Sequence, residues 1–472
     1  MSLPFPTDEP FLSGYYAPLH MECDAASLPI TGTLPKALRG TLYRNGPNPQ
    51  FAPRGPYHWF SGDGMLHAFQ IEDGRVSYRN RWVRTPKWVM EHDHGEGLSG
   101  SLSHRHLSDP ALRELNSTVA NTNVVWHGRR LLALEEAHAP FEVDPFTLAP
   151  RGYYRYDGKL PGAMTAHPKC DPVTGELIFF AYAASGPFTR DLVLHVADRE
   201  GRLQRSVHFA APFPSMVHDF AVTRTHILFP VFPLTGSMDR ATDGLPPYAW
   251  EPDKGTHIGI LPRNGTADDV RWLRTDPCFV FHVMNAFDAG EQIVCDVMKY
   301  DAAPLFPRPD GTPVGNEPPQ ARLVRWTLDP HKTASVGEQL LDDRPGEFPR
   351  FDERFAMSRY RHGYFSSAPA TEGAKGTRSR VGLAHIDVAT GHTAEWLPDL
   401  GDYCSEPVFV ERHADAAEGD GWLLAAVWRG KENRSDLAVF DATDIAAGPV
   451  ALAHLSHRVP AGFHGNWRSA AG

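Results

Sequence analysis

The chain has 472 residues, of which 42% are hydrophobic and 22% charged, the balance of a globular protein with a sizeable core. A net charge of −11 and a pI near 6.1 argue against a nucleic-acid partner, which wants a basic face. No stretch approaches the 18 apolar residues of a transmembrane helix, and the first ten residues lack the basic and apolar regions of a signal peptide.

Short β-type runs begin at Thr41–Arg44 and continue at Leu131–Leu134, Leu177–Tyr182, His226–Phe232 and Gln292–Val297. Two more follow at Trp422–Trp428 and Leu437–Phe440. Turn signals separate them: Asp73-Gly74, Asp171-Pro-Val-Thr-Gly175, Asp310-Gly311 and Asp387-Val-Ala-Thr-Gly391. Helical periodicity is scarce. Asp109–Leu115 is the best candidate, with Asp as cap and Pro opening the turn. Just before it, Glu91-His-Asp-His94 and His104-Arg-His106 crowd histidines into a Gly- and Ser-rich stretch, read here as a mobile surface loop. The five cysteines are odd in number, widely spaced and never in a Cys-x-x-Cys arrangement. They read as reduced thiols, so a cytoplasmic protein is expected.

So many short strands imply a closed all-β fold: barrel, sandwich pair or propeller. Four histidines help to choose, because each sits in a short apolar context. They are His167 in Thr165-Ala-His-Pro168, His218 in Met216-Val-His-Asp-Phe220, His282 in Phe279-Val-Phe-His282, and His464 in Phe463-His-Gly-Asn466. The first three are separated by 51 and 64 residues, near one propeller blade plus a variable loop. A propeller brings residues distant in sequence to a common axis, and a sandwich has none. A propeller is therefore expected, with residues 1–472 as a single domain.

Buried polar groups need partners, and several neutral imidazoles suggest a shared metal ion. Four such ligands leave two positions open on an octahedral ion. Imidazole accepts Fe, Cu, Zn and Ni alike, so residue type does not select the metal. A ligating histidine usually hands its other N–H to a carboxylate. Glu136, Glu347 and Glu406 stand in apolar, strand-like contexts that suit this role. The plain alternative is that most of the 24 histidines lie at the surface or make single hydrogen bonds.

Eight blocks, in order, change this balance. They are Gly40-Thr-Leu-Tyr-Arg-Asn-Gly-Pro-Asn-Pro49, His58-Trp-Phe-Ser-Gly-Asp-Gly-Met65, Thr165-Ala-His-Pro-Lys169 and Val217-His-Asp-Phe220. The others are Phe281-His-Val-Met-Asn-Ala-Phe287, Glu347-Phe-Pro349, Ser405-Glu-Pro407 and Phe463-His-Gly-Asn-Trp467. Together they resemble the carotenoid cleavage oxygenase family, which also holds lignostilbene dioxygenases and isoeugenol-type aryl-alkene oxygenases. The resemblance implies an all-β, seven-bladed β-propeller under a dome of loops and short helices, with an axial Fe(II). It implies His167, His218, His282 and His464 as ligands, and Glu136, Glu347 and Glu406 as carboxylates orienting three of them. It further implies oxidative cleavage of a small hydrophobic conjugated alkene by O2, without an organic cofactor, external reductant or acid–base residue.

The substrate is less legible. In the phenol-specific branch a Lys precedes the first orienting glutamate, whereas here that position is Glu135, and residues 91–118 hold no Tyr. A carboxylate does not stabilise a phenolate. The blocks near the N-terminus are those of the carotenoid-cleaving branch, and the C-terminal third is closer to the aryl-alkene branch. The first expectation is therefore an apocarotenoid-like polyene, with a stilbene or phenylpropenoid next. Trp59, Phe60, Trp126, Phe141, Phe281 and Phe287 are candidates for the tunnel lining, although aromatics also dominate blade packing. A non-catalytic propeller used as a binding platform would show a broken histidine set. An isomerase of the family would sit on a membrane, and the sequence shows no amphipathic anchor. A small apolar rim at the tunnel mouth leaves peripheral membrane contact open. Changing Glu135→Lys is expected to raise turnover of 4-hydroxystilbene relative to an apocarotenal. An unchanged substrate ranking would remove Glu135 from the specificity argument.

Overall fold

The computed structural model describes residues 4–102, 104–115, 117–332, 336–368 and 379–470. Seven antiparallel sheets of four or more strands make the chain a seven-bladed β-propeller, with an eighth, two-stranded sheet of Leu234–Gly236 and Tyr248–Trp250. Strands alternate by residue type where one face meets the core and the other meets water. Leu203–Ala210 buries Leu203 and Val207, with Gln204 and His208 exposed between and after them. Where both faces are covered a strand is buried along its length: Phe279–Phe287 is buried at every position, His282 and Asn285 included.

Close internal contacts divide the chain into two compact units. The first holds residues 1–161, 371–384 and 394–472. Within it, Leu42, Phe69, Val76, Leu424, Leu437 and Val439 form part of one buried cluster. The strand Gly465–Ser469 pairs with Gly40–Pro47, and Ile30–Gly32 pairs with Pro449–His454, so segments from both ends of the chain complete these sheets. Gly46 permits a close approach there: a Cβ on it would lie 2.4 Å from Cα of Gly462.

The second unit holds residues 162–370 and 385–393. Phe180, Leu194, Phe220, Phe229 and Leu261 form part of its core. Its strand Phe279–Ala289 pairs with Gln292–Tyr300 through two register shifts, one between Val280 and Val283 and one between Val283 and Asn285. Such bulges re-aim side chains locally. His282 lies inside the first.

All seven sequence-predicted runs fall on strands, and Pro110–Leu115 is helical. The surface-loop reading of residues 91–106 needs correction. Glu91–His94 is the last part of a helix, Pro86–His94, and Arg105–Leu107 is a 3-10 turn. The helix has full end signals: Thr85 accepts from the Trp88 N–H, Pro86 opens the first turn, and Gly95 closes it at φ +72°. Glu91 is buried and ion-paired at 2.7 Å to Lys87, which also reaches Asp63 at 2.6 Å. All five cysteines are unpaired. No helix among the described residues is long and apolar enough to cross a membrane.

Removing residues 463–472 takes away the strand Gly465–Ser469 and leaves Gly40–Pro47 paired with Gly64–Glu72 on one side only. The shortened chain is expected to melt at least several degrees lower and to retain no stoichiometric metal. Wild-type melting by circular dichroism together with wild-type metal content would contradict both the edge-closing role and the role of His464.

Candidate metal centre

The four histidines occupy equivalent places. His167 stands two residues before Lys169–Cys170, His218 three before Ala221–Val222, and His464 directly before Gly465–Ser469. Each of these strands opens a sheet, as does Phe279–Ala289, which contains His282. All four imidazoles are buried, and their ligand atoms lie within 4.8 Å of one another. The Nε2 atoms of His167 and His218 are 2.9 Å apart, and those of His218 and His282 are 3.4 Å apart.

Local bonds explain these positions. Thr165 Oγ1 accepts the N–H of His167 at 3.1 Å and donates to the carbonyl of His218 at 3.4 Å. His464 is held by its backbone: its N–H donates to Thr122 O at 3.2 Å, and its carbonyl accepts from Asn45 at 2.8 Å. The Asn45 side-chain amide in turn donates to the carbonyls of Ala120 and Asn123, both at 2.9 Å.

Glu347 and Glu406, two of the predicted glutamates, each meet an imidazole. Glu347 Oε2 lies 2.5 Å from Nδ1 of His282, and Glu406 Oε1 lies 2.9 Å from Nδ1 of His464. A carboxylate only accepts, so each Nδ1 carries a proton, and in the neutral ring Nε2 is the atom left with a lone pair. Both glutamates are themselves fixed. Glu406 accepts from the Gly465 N–H at 2.8 Å, and Glu347 accepts from the Tyr300 hydroxyl at 2.9 Å. Burial first, and then the Glu347 carboxylate, push the Tyr300 phenol well above its usual range, so it remains a donor. Phe348 adopts φ +57°, an uncommon conformation for a bulky residue, and stacks on His282 with ring centroids 5.3 Å apart. Glu136 is half-buried, two residues beyond the strand Arg130–Leu134.

The aromatic candidates divide. Phe281 sets its ring edge-on to His218 at 5.1 Å. Trp59 and Phe60 pack on Phe463, the neighbour of His464, at 4.4 and 5.6 Å. Phe287 instead packs on Tyr360 with Arg325 and Arg359 over its ring, and Trp126 lies under Arg468. Phe141 belongs to a blade core with Tyr43, Leu66 and Leu131, and also borders an open cavity of about 590 Å³ with Val89, Met90 and Tyr153. Glu135 Oε2 accepts from Thr118 Oγ1 at 2.5 Å, the Val119 N–H at 3.1 Å and His138 Nδ1 at 3.0 Å. Burial would raise its pKa, but the His138 charge and these bonds outweigh burial and bring it down to about 2. It is an anion committed to its own neighbours.

The donor set fits a metal cation. Carboxylates behind two of the rings turn their Nε2 atoms inward, and a cation at the centre would be shared by nitrogens that otherwise crowd one another. Four converging, buried histidines on a propeller form a group that could hold a metal ion. The family model described as retinal pigment epithelial membrane protein matches residues 16–469. The chain is 38% identical to an isoeugenol monooxygenase of Pseudomonas nitroreducens over 98% of each protein. It superposes on the crystal structure of Pseudomonas brassicacearum lignostilbene dioxygenase with a TM-score of 0.94, at 36% identity, covering 99% of this chain and 100% of that one. A cobalt-substituted apocarotenoid oxygenase of Synechocystis matches with a TM-score of 0.82 at 30% identity, covering 96% and 97%. The chain therefore belongs to the carotenoid cleavage oxygenase family, as an alkene-cleaving oxygenase.

The changes Glu347→Gln and Glu406→Gln are each expected to weaken metal retention or activity about 10–100-fold. Metal content after dialysis is the direct measurement. Wild-type retention in both variants would reject the orienting role.

Proposed function

We propose that His167, His218, His282 and His464 hold Fe(II), with Glu136, Glu347 and Glu406 fixing three of the rings, and that the enzyme cleaves an aryl alkene. The stoichiometry is closed: one C=C bond and one O2 give two carbonyl products, and the alkene supplies the electrons. Iron held by these four neutral ligands would supply an electrophilic centre able to engage O2. The protein's part is to hold the double bond beside it, exclude water and keep the imidazole nitrogens unprotonated. No side chain is needed as a general base.

The observation that carries the aryl-alkene reading is the likeness along the whole chain to the isoeugenol and lignostilbene oxygenases, closer in identity and superposition than that to the apocarotenoid oxygenase. Phe281, Trp59 and Phe60, close to the imidazoles or their neighbours, offer flat faces for an aromatic ring. The polyene reading keeps one specific support: Glu135 stands where a lysine pairs with the phenol in the stilbene branch, and it is held as an anion. Residues 1–472 act as one domain in this proposal, and the unpaired thiols suit a reducing, cytoplasmic setting.

Aerobic incubation of Fe(II)-loaded protein with isoeugenol, resveratrol and an apocarotenal, read by mass spectrometry, tests this choice. Benzaldehyde-type products from the first two are expected. Shortened apocarotenals alone would install the polyene reading. No product from any of the three, with iron bound, would return the chain to a binding platform.

A further inference from the structure

Three of the histidines, His167, His218 and His282, come from segments far apart in sequence, and one carboxylate reaches all three segments. Asp219 directly follows His218 and is 3% exposed. Its Oδ2 accepts the backbone N–H of Val283, the residue after His282, at 2.8 Å. Its Oδ1 accepts the N–H of Phe220 at 2.8 Å and lies 2.7 Å from Nζ of Lys169, two residues after His167. The Lys169 ammonium also lies 5.8 Å from the centroid of the Phe220 ring.

We propose that Asp219 is a positioning residue that sets the mutual spacing of His167, His218 and His282, with Lys169 as its counter-charge. The inference rests on the reading of the four histidines as a metal site. A buried carboxylate is costly unless it is paired and hydrogen-bonded. Asp219 is satisfied only while the Val283 amide, the Phe220 amide and the Lys169 ammonium all converge on it. The three partners travel with the three ligand segments. Displacing any one segment strips the carboxylate of a donor, so the arrangement that satisfies Asp219 is also the one that brings the imidazoles together. Asp219 contacts backbone and an ammonium, whereas Glu347 and Glu406 contact imidazole nitrogens, so its influence is on where the rings stand rather than on their basicity. Metal sites need such support to hold ligands within about 0.5 Å of productive geometry. Thr165 makes a second, neutral link between the His167 and His218 segments, which leaves Asp219 as the tie to His282.

Asp219→Asn is nearly isosteric but must turn an NH2 group toward either the Val283 N–H or the Lys169 ammonium, donor against donor. Lys169→Met removes only the counter-charge from a partly exposed position. Co(II) is the probe, titrated into metal-free protein and followed by its d–d absorption, with His282→Ala as the control for the site. Wild type is expected to bind one Co(II), and Asp219→Asn to bind it about 10–100-fold more weakly, the range for lost support around metal ligands. The absorption band should also shift, since the ring positions change. Lys169→Met should fall between the two. Wild-type affinity and spectrum in folded Asp219→Asn would overturn the proposal. Should that variant not fold, wild-type affinity and spectrum in Lys169→Met would do the same. Equal loss of melting temperature with and without Co(II), at unchanged affinity, would mark Asp219 as merely structural and also overturn it. Failure of wild type to bind Co(II), or unaltered binding in His282→Ala, would instead strike down the metal-site reading and this inference with it.

Discussion

Imidazole nitrogens that face one another inside a protein have two stable conditions: a proton shared between them or a cation among them. The structure limits the first. Glu347 and Glu406 hold the Nδ1 protons of His282 and His464, so the inward nitrogens of these rings carry lone pairs. A metal ion removes the conflict. The absence of a carboxylate among the four converging groups matters for the chemistry, because an anionic ligand would neutralise part of the charge that makes the centre electrophilic.

The surrounding chain is arranged to supply that geometry with few residues. The opening strands beside His167 and His218 are only two residues long, so most of the local backbone is bonded irregularly, through Thr165 and Asp219. His464 follows another route, with both its N–H and its carbonyl held by Thr122 and Asn45. The carboxylates behind His282 and His464 are themselves bonded by Tyr300 and the Gly465 amide, so two successive layers of contacts back each of these imidazoles. Ligand orientation is thus set by hydrogen bonds of fixed direction, and the apolar cores hold the blades that carry them.

Much of the fold was legible in the sequence because its strands are dense in β-branched and aromatic residues and its turns carry Asp-Gly signals. The four histidines stood out for a related reason: a polar ring in an apolar run demands an explanation. Other features were not legible. The helix Pro86–His94 was overlooked although Thr85, Pro86 and Gly95 mark its ends, because its histidines and charges hid a weak apolar face. Asn45, Thr165 and Asp219 look ordinary in sequence, since their partners lie on segments that only the fold brings near. Aromatic residues were ambiguous by nature. Phe281 meets an imidazole, whereas Phe287 on the same strand packs against Tyr360 and two arginines, and no local pattern separates them.

The paired register shifts around His282 carry a consequence for how this strand can change. Each shift adds one residue, and side chains alternate faces with a period of two, so the second restores the parity that the first disturbs. The irregularity is confined to the few residues around the ligand, and Asn285 onward returns to the alternation set by Phe279. Substitutions within this stretch alter only local contacts. Loss or gain of a single residue there would invert everything downstream, sending Phe287 to the face that now belongs to Ala286 and Asp288. Apart from His282, the segment is therefore held more tightly in length than in composition.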